Sequence, residues 1–161
     1  MKLLISACLL GEPCRYDGKS RPLPAETLAR LQSQFELIPV CPETLGGLPT
    51  PRVPSERQGG RVVTADGRDV TAEYTRGAQA ALTIAREHGV SAALLKERSP
   101  SCGKGEIYDG SFTRTLKTGN GVTAEVLLAE GFAVHGESEI DALCKLGVRS
   151  EEFSLLSTPN S

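Results

Sequence analysis

Short apolar runs recur along the chain, and residues typical of turns follow each of them. Such runs predict strands that are buried on both faces of a sheet. They cover residues 2–7, 36–40, 91–95 and 132–134. Between them, apolar residues recur at helical spacing, and the predicted helices cover residues 24–34, 69–88, 122–129 and 138–146. Strands that alternate with helices favour a single α/β domain with an open, mostly parallel, Rossmann-like sheet and helices on both faces.

The polar stretches between these elements predict loops. Residues 11–18 and 96–120 are rich in turn residues. Residues 48–61 are rich in Pro, Gly and Arg and have no apolar period, so we interpret them as a mobile lid or substrate loop rather than a linker. We expect residues 1–148 to form the domain and residues 149–161 to be a frayed tail.

Composition and charge narrow the class of protein. The 161 residues, 39% apolar and 24% charged, suit one globular domain with a hydrophobic core. A net charge of −2 gives no global attraction to nucleic acid, and the absence of Trp disfavours an aromatic stacking platform. The apolar start at residues 3–7 is shorter than the roughly 7–15 residues of a signal peptide, and no apolar run approaches the about 20 residues of a membrane span. We therefore expect a cytoplasmic protein with reduced thiols and no membrane partner.

Four of the five cysteines lie at or beyond the ends of predicted strands: Cys8, Cys14, Cys41 and Cys102. Because the carboxyl ends of parallel strands meet at one edge of a sheet, we expect these thiols to meet there. The chain has no paired Cys-x2–4-Cys knuckle of the kind that structural zinc sites use, so the pattern favours an iron–sulfur cluster. The alternative is a set of buried, unreactive cysteines, which we assign only to Cys144.

Glu43 and two serines are candidates for catalysis. Glu43 follows Cys41 by two residues, where a carboxylate beside a metal pocket suits a general acid or base; the alternative is a carboxylate that faces a helix dipole. Ser99 and Ser101 flank Pro100 just before Cys102. Their hydroxyls could orient a water or a substrate atom, or cap the turn, and the spacing alone favours neither.

Candidate substrate contacts lie in the two polar loops. Asp17 could recognise the polar edge of a ring on which Tyr16 stacks, although residues of a surface turn look the same. Arg52 could bind substrate, including a phosphate, although a solvated loop fits it equally well.

Several motifs together resemble the bacterial thiouracil desulfurase family, from residue 3 to about residue 146. They are Ser6-Ala7-Cys8-Leu9-Leu10-Gly11, Cys14-Arg15-Tyr16-Asp17-Gly18, Pro39-Val40-Cys41-Pro42-Glu43, Leu45-Gly46-Gly47, Pro51-Arg52 and Lys96-x-x-Ser99-Pro100-Ser101-Cys102-Gly103. The resemblance implies an oxygen-sensitive [4Fe–4S] cluster that three cysteines hold, with one iron not bound by protein. It further implies that this iron binds the sulfur of a thiolated uracil, and that a hydrolysis without net redox change releases sulfide.

The resemblance also assigns roles to residues. Its acid/base carboxylate matches Glu43, and its serine falls in Ser99-Pro100-Ser101, where both serines stay candidates. Among the cysteines we favour as ligands the three that directly follow strands, Cys8, Cys41 and Cys102, and we take Cys14 as the nearby non-ligand.

The substrate's size stays open at this point. We expect activity on free 4-thiouracil or 4-thiouridine, with 4-thiouridine within tRNA as a further candidate because basic residues of two loops could form a rim around the pocket. These are Arg15, Lys19, Arg21, Arg52, Arg57, Arg61 and Arg68. Two other classes of protein remain: a non-catalytic iron–sulfur sensor or electron carrier, and a thiol redox protein with a Cys8–Cys14 disulfide, whose spacing is a poor match to Cys-x-x-Cys.

Overall fold

A computed structural model of the chain describes residues 1–145. The predicted domain end at residue 148, the tail 149–161 and the last residue of helix 138–146 lie outside these residues. The strands are β1 (Lys2–Ser6), β2 (Glu36–Val40), β3 (Ser55–Gln58), β4 (Arg61–Thr64), β5 (Ala92–Leu95), β6 (Glu106–Tyr108), β7 (Leu116–Thr118) and β8 (Ala133–Gly136). The helices are α1 (Ala25–Gln34), α2 (Pro42–Leu45), α3 (Thr71–His88) and α4 (Val122–Ala129), with 3₁₀ turns at Ala7–Leu10 and Glu137–Glu139 and a helical stretch at 140–145.

Four parallel strands form the central sheet, in the order β2-β1-β5-β8. From β1 the chain continues to β2 on one side and later returns to β5 on the other side. The boundary between β1 and β5 is therefore the switch point of the sheet, and ligands of open α/β sheets bind in the crevice outside the carboxyl ends of the strands there. The predicted α/β fold is confirmed.

Helices cover both faces of this sheet. Leu3 and Ile5 of β1 pack in one apolar cluster with Leu31 of α1. Leu4, which points to the opposite face, packs in a second cluster with Leu82 of α3 and residues of α4. The two central strands, β1 and β5, are buried on both faces, which is the reason why they are continuous apolar runs rather than alternating patterns.

Two hairpins lie where the sequence predicted loops. The strands β3 and β4 pair antiparallel inside and just after residues 48–61, and β6 pairs with β7 inside residues 96–120. The prediction that residues 48–61 lack regular structure is therefore wrong for β3. Its buried position is polar: Glu56 is 9% exposed and accepts hydrogen bonds from the N–H groups of Gly110 (3.0 Å) and Phe112 (3.2 Å). An apolar period could not reveal such a strand.

No helix within residues 1–145 has both the length and the apolar character needed to cross a bilayer.

Candidate metal centre and active site

The carboxyl edge of the sheet brings four cysteine thiols close enough together for their charges to act on one another, and this cluster of thiols is called the cysteine pocket below. Cys8 lies in the 3₁₀ turn after β1, Cys41 joins β2 to α2, and Cys102 lies in the loop after β5. Cys14 lies in the loop after the first turn, and its thiol is close enough to that of Cys41 for each to shift the pKa of the other. The Cys41 Sγ is also 3.7 Å from the carbonyl oxygen of Cys14.

Burial dominates the chemistry of two of these thiols. It raises the pKa of Cys8 to about 11, although the Lys96 ammonium opposes the rise. It raises the pKa of Cys102 to about 12, against a hydrogen bond from Ser6 that lowers it. The charge of Cys41 acts on both thiols. Metal coordination stabilises the thiolate outright, and therefore suits thiols that burial holds protonated.

Cys41 has the opposite character. Its pKa is lowered to about 6 by the hydrogen bond from the Cys14 thiol, and the hydroxyl and N–H of Thr44 lower it further. The Thr44 hydroxyl lies 3.1 Å from the Cys41 Sγ. The same bond raises the pKa of Cys14. Cys41 is therefore the thiol that most readily supplies a thiolate, with Cys14 as its donor.

The donor set fits an iron–sulfur cluster. Within residues 1–145, no three His, Cys, Asp or Glu residues converge closely enough to hold a single metal ion. A cluster makes no such demand, because each cysteine thiolate binds a different iron. The soft thiol donors suit iron–sulfur chemistry, and the cations Arg15 and Lys96 both act on Cys8, where they would offset thiolate charge.

Glu43 lies beside this pocket at the start of α2. Pro42 occupies the first turn of the helix, where its fixed φ is favourable, and Glu43 lies in the same turn. The alternative reading of Glu43 as a residue of a helix start therefore also holds. Its Oε2 accepts a hydrogen bond from Arg52 Nη2, and its Oε1 lies 3.4 Å from the Ser99 hydroxyl.

The backbone of α2 lies directly against α3. A Cβ atom on Gly77 of α3 would be 2.7 Å from the carbonyl carbon of Pro42, and a Cβ atom on Gly46 would be 2.9 Å from that of Glu73. Real Cβ atoms are essentially never found at such distances. The two glycines therefore fix how close Glu43 and Cys41 are held to the body of the domain.

The two candidate serines occupy different environments. The Ser99 Oγ accepts hydrogen bonds from the N–H groups of Ser101 and Cys102, both at 3.1 Å, and is the donor to Glu43. Ser101 is fully buried, and its hydroxyl is paired with that of Thr123 at 2.8 Å. Only Ser99 thus links the Cys102 loop to the carboxylate.

The three residues predicted to contact substrate differ in exposure. Tyr16 is exposed, and the Arg15 guanidinium lies 5.7 Å from the centre of its ring. Asp17 accepts a hydrogen bond from the N–H of Lys19 at 3.0 Å and pairs with Arg15 at 3.7 Å. Arg52, by contrast, is buried against Glu43.

Carboxylates pair with three more arginines of the predicted basic rim. Arg57 pairs with Glu125, Arg61 with Asp69 at 3.0 Å, and Arg68 with Asp66 at 3.3 Å. These guanidinium groups serve contacts within the chain, so they add little free positive charge around the pocket.

Sequence reasoning missed the residues that support the site. Ser6 receives the N–H of Lys96 at 2.9 Å, so it ties the ends of β1 and β5 together below Cys102. Tyr74 of α3 is 2% exposed and lies near enough to Glu43 for the carboxylate charge to act on its phenol. Two signals pointed to Lys96: it directly follows β5, and, like Ser6, it stands in one of the family motifs. The available signal for Thr44 was its position three residues after Cys41 at a helix start, where the two side chains come close together.

Together the fold and the site define an α/β protein with a thiol pocket, suited to an iron–sulfur cluster, at the switch point of its sheet. A model of the 2-thiouracil desulfurase family matches residues 3–139. The uncharacterized protein YbbK of Bacillus subtilis (strain 168) is 42% identical over 149 residues, which are 86% of this chain and 97% of that protein. A solved structure of the [4Fe-4S]-dependent thiouracil desulfidase TudS has 47% sequence identity and a TM-score of 0.86, covering 90% of this chain and 96% of that one.

The chain belongs to the 2-thiouracil desulfurase family. The family resemblance in its motifs is thereby confirmed.

Proposed function

We propose that this chain is an enzyme that removes sulfur from thiolated uracil by hydrolysis, with a [4Fe–4S] cluster as cofactor. The family match and the similarity to TudS support the cofactor and the thiouracil substrate. The pairing of Glu43 with Ser99 beside the cysteine pocket supports hydrolysis as the type of reaction. Hydrolysis needs a positioned base that takes a proton from water, and it needs no electron donor.

We propose that Cys8, Cys41 and Cys102 hold the cluster and that one iron is not bound by protein. Cys8 and Cys41 come just after β1 and β2, which are neighbours in the sheet, whereas Cys102 lies further along the loop that follows β5. Cys14 belongs to a loop further along the chain and contacts Cys41, which suits a donor to a ligand thiolate rather than a ligand.

The reaction breaks the bond between carbon and sulfur, forms one between carbon and oxygen, and consumes one water for each H₂S released. When bound, the cluster supplies a soft Lewis-acidic iron suited to a thiocarbonyl sulfur. Glu43 accepts a proton from the attacking water. The Ser99 hydroxyl exchanges its long bond to Glu43 Oε1, 3.4 Å in the structure, for one to that water, which attacks the thiocarbonyl carbon. We favour Ser99 over Ser101 because the Ser101 hydroxyl is buried against Thr123.

The substrate contacts support a small substrate. The Nε–H of Arg52 is buried and has no acceptor among residues 1–145, so a carbonyl oxygen of the pyrimidine ring would satisfy it. Tyr16 and Asp17 lie next to Arg52, since the Arg52 N–H donates to the carbonyl oxygen of Tyr16. We propose that these two residues contact the pyrimidine ring or its ribose. Because Arg57, Arg61 and Arg68 are ion-paired, free 4-thiouracil or 4-thiouridine is favoured over 4-thiouridine within tRNA. An oxygen-sensitive cluster also suits the reducing cytoplasm.

The test is sulfide release by anaerobically reconstituted protein. We expect stoichiometric H₂S and uracil or uridine from 4-thiouracil or 4-thiouridine, without added reductant. Thiolated tRNA, with unmodified tRNA as competitor at two salt concentrations, forms a separate arm. A cluster that cycles by one electron but releases no sulfide from any of these substrates would contradict the proposal and identify a sensor or electron carrier.

A further inference from the structure

Arg52 is more buried than its place in a Pro- and Gly-rich loop suggests. Its side chain is 6% exposed, against 14% for that of Glu43. A guanidinium is always charged and costs free energy to bury, unless carboxylates and carbonyls meet its N–H groups. The contacts of the Arg52 guanidinium therefore indicate its role.

Both terminal nitrogens of Arg52 are fully engaged. Nη1 donates to the carbonyl oxygen of Pro49 and to the Thr50 hydroxyl, both at 3.1 Å. Nη2 donates to Glu43 Oε2 and, at 3.0 Å, to the carbonyl oxygen of Cys14. Because the guanidinium is planar and rigid, anchoring Nη1 fixes the direction in which Nη2 presents its protons.

Arg52 thereby joins the cysteine loop to the carboxylate. Its own N–H donates to the carbonyl oxygen of Tyr16 at 2.7 Å, so main chain and side chain both hold the segment around Cys14. The same Nη2 holds one oxygen of Glu43, which leaves the other oxygen toward Ser99. Rotation of the Glu43 carboxylate would break one of these two bonds.

We propose that Arg52 is a positioning residue that acts through Glu43: it holds the carboxylate oriented so that Oε1 receives the proton of the attacking water. This role rests on the proposed function, and it is distinct from the contact of the Arg52 Nε–H with substrate. The positioning role affects kcat, whereas the substrate contact affects KM.

A double-mutant cycle on reconstituted holoenzyme separates a residue that acts through Glu43 from one that acts independently. The variants are Arg52→Gln, Glu43→Gln and the double variant, with kcat, KM and iron content measured for each. We expect Arg52→Gln to lower kcat by about 10- to 100-fold with iron retained, because misplacement by about 1 Å has effects of that size. In the Glu43→Gln background the same change should leave kcat within about threefold.

Equal losses of kcat in both backgrounds, or an unchanged kcat in Arg52→Gln, would overturn the positioning role. If Arg52→Gln does not fold, Arg52→Lys replaces it. Lysine keeps the charge but not the planar fork, so kcat should still fall at least about tenfold, and a wild-type kcat would overturn the role. Arg57→Gln is the matched control, since Arg57 is another ion-paired, partly buried arginine, and its kcat should match wild type. Wild-type protein that releases no sulfide would overturn the proposed function itself, whereas additive losses overturn only the role of Arg52.

Discussion

The contact between α2 and α3 makes Gly77→Ala the most revealing single substitution. The added methyl carbon would lie 2.7 Å from the carbonyl carbon of Pro42, whereas carbon atoms in contact are about 3.5–4.0 Å apart. The Pro42 carbonyl oxygen would lie closer still, so the two helices must separate by at least about 1 Å. Because α2 begins at Cys41 and carries Glu43 in its first turn, that displacement moves a proposed ligand and the proposed base together.

The expected loss of activity exceeds the expected loss of stability. Overpacking typically destabilises by about 1–3 kcal/mol, and replacing a helical Gly by Ala returns about 1 kcal/mol, so the net loss is about 0–2 kcal/mol. A displacement of this size in an active site lowers kcat by about 100-fold. The assay is sulfide release at saturating substrate, together with iron per protein and the thermal unfolding midpoint.

Gly60→Ala is the control, since a Cβ atom there would meet no atom within 4 Å. It should match wild type in all three measurements. The reasoning would be refuted if Gly77→Ala kept wild-type kcat with full iron, because the close contact would then not set the position of α2.

The other predictions concern the site residues themselves. Glu43→Gln should retain iron and lose turnover by a factor of about 10² to 10⁴; a rate within about threefold of wild type would leave the carboxylate merely structural. Ser99→Ala should lower kcat more than Ser101→Ala at equal iron content, and the reverse order would assign the water contact to Ser101. Reconstituted Cys14→Ser should keep its iron, in contrast to serine variants of the proposed ligands, and iron loss in Cys14→Ser with full occupancy in Cys41→Ser would reverse that assignment. Exposure to air should abolish activity and leave the helical circular dichroism signal intact, since Cys8 and Cys102 are the only proposed ligands in the two apolar clusters and the aliphatic side chains there pack without the metal; collapse of that signal would tie the fold to the cofactor.

The central sheet was predictable because burial on both faces leaves a direct trace in the sequence. Residues 2–7 contain β1, which is buried on both faces, and residues 36–40 contain the edge strand β2, an apolar run in which only Val40 is buried. From these strands alone, the rule that parallel strands end at one edge places Cys8 and Cys41 in the same crevice. The hairpins left no such trace, because strands of three or four residues are too short for a period, and the buried residue of β3 is a glutamate.

The polar contacts of the site could not be predicted from the pattern and spacing of residues in the sequence. Ser99 and Ser101 are equivalent in sequence, and only the packing of Ser101 against Thr123 separates them. Arg52 looked like a surface residue because its neighbours are Pro and Gly, while its partners, Glu43 and the Cys14 carbonyl, come from other segments. Partners of a buried charge depend on the fold, so no local signal in the sequence reports them.

The backbone contacts that hold the site explain how three loops can place their residues with accuracy. Gly77 brings α3 against Pro42, directly after Cys41, and Gly121 does the same for the Cys102 loop: a Cβ atom there would lie 2.9 Å from the Cys102 nitrogen. In both places main chain meets main chain, and no flexible side chain separates them. Because a side chain can change rotamer whereas a packed backbone cannot, these positions transmit the geometry of the helices to the thiols. The rigid core between sheet and helices thus sets the spacing of the thiols, and it contributes two of them directly, Cys8 and Cys102.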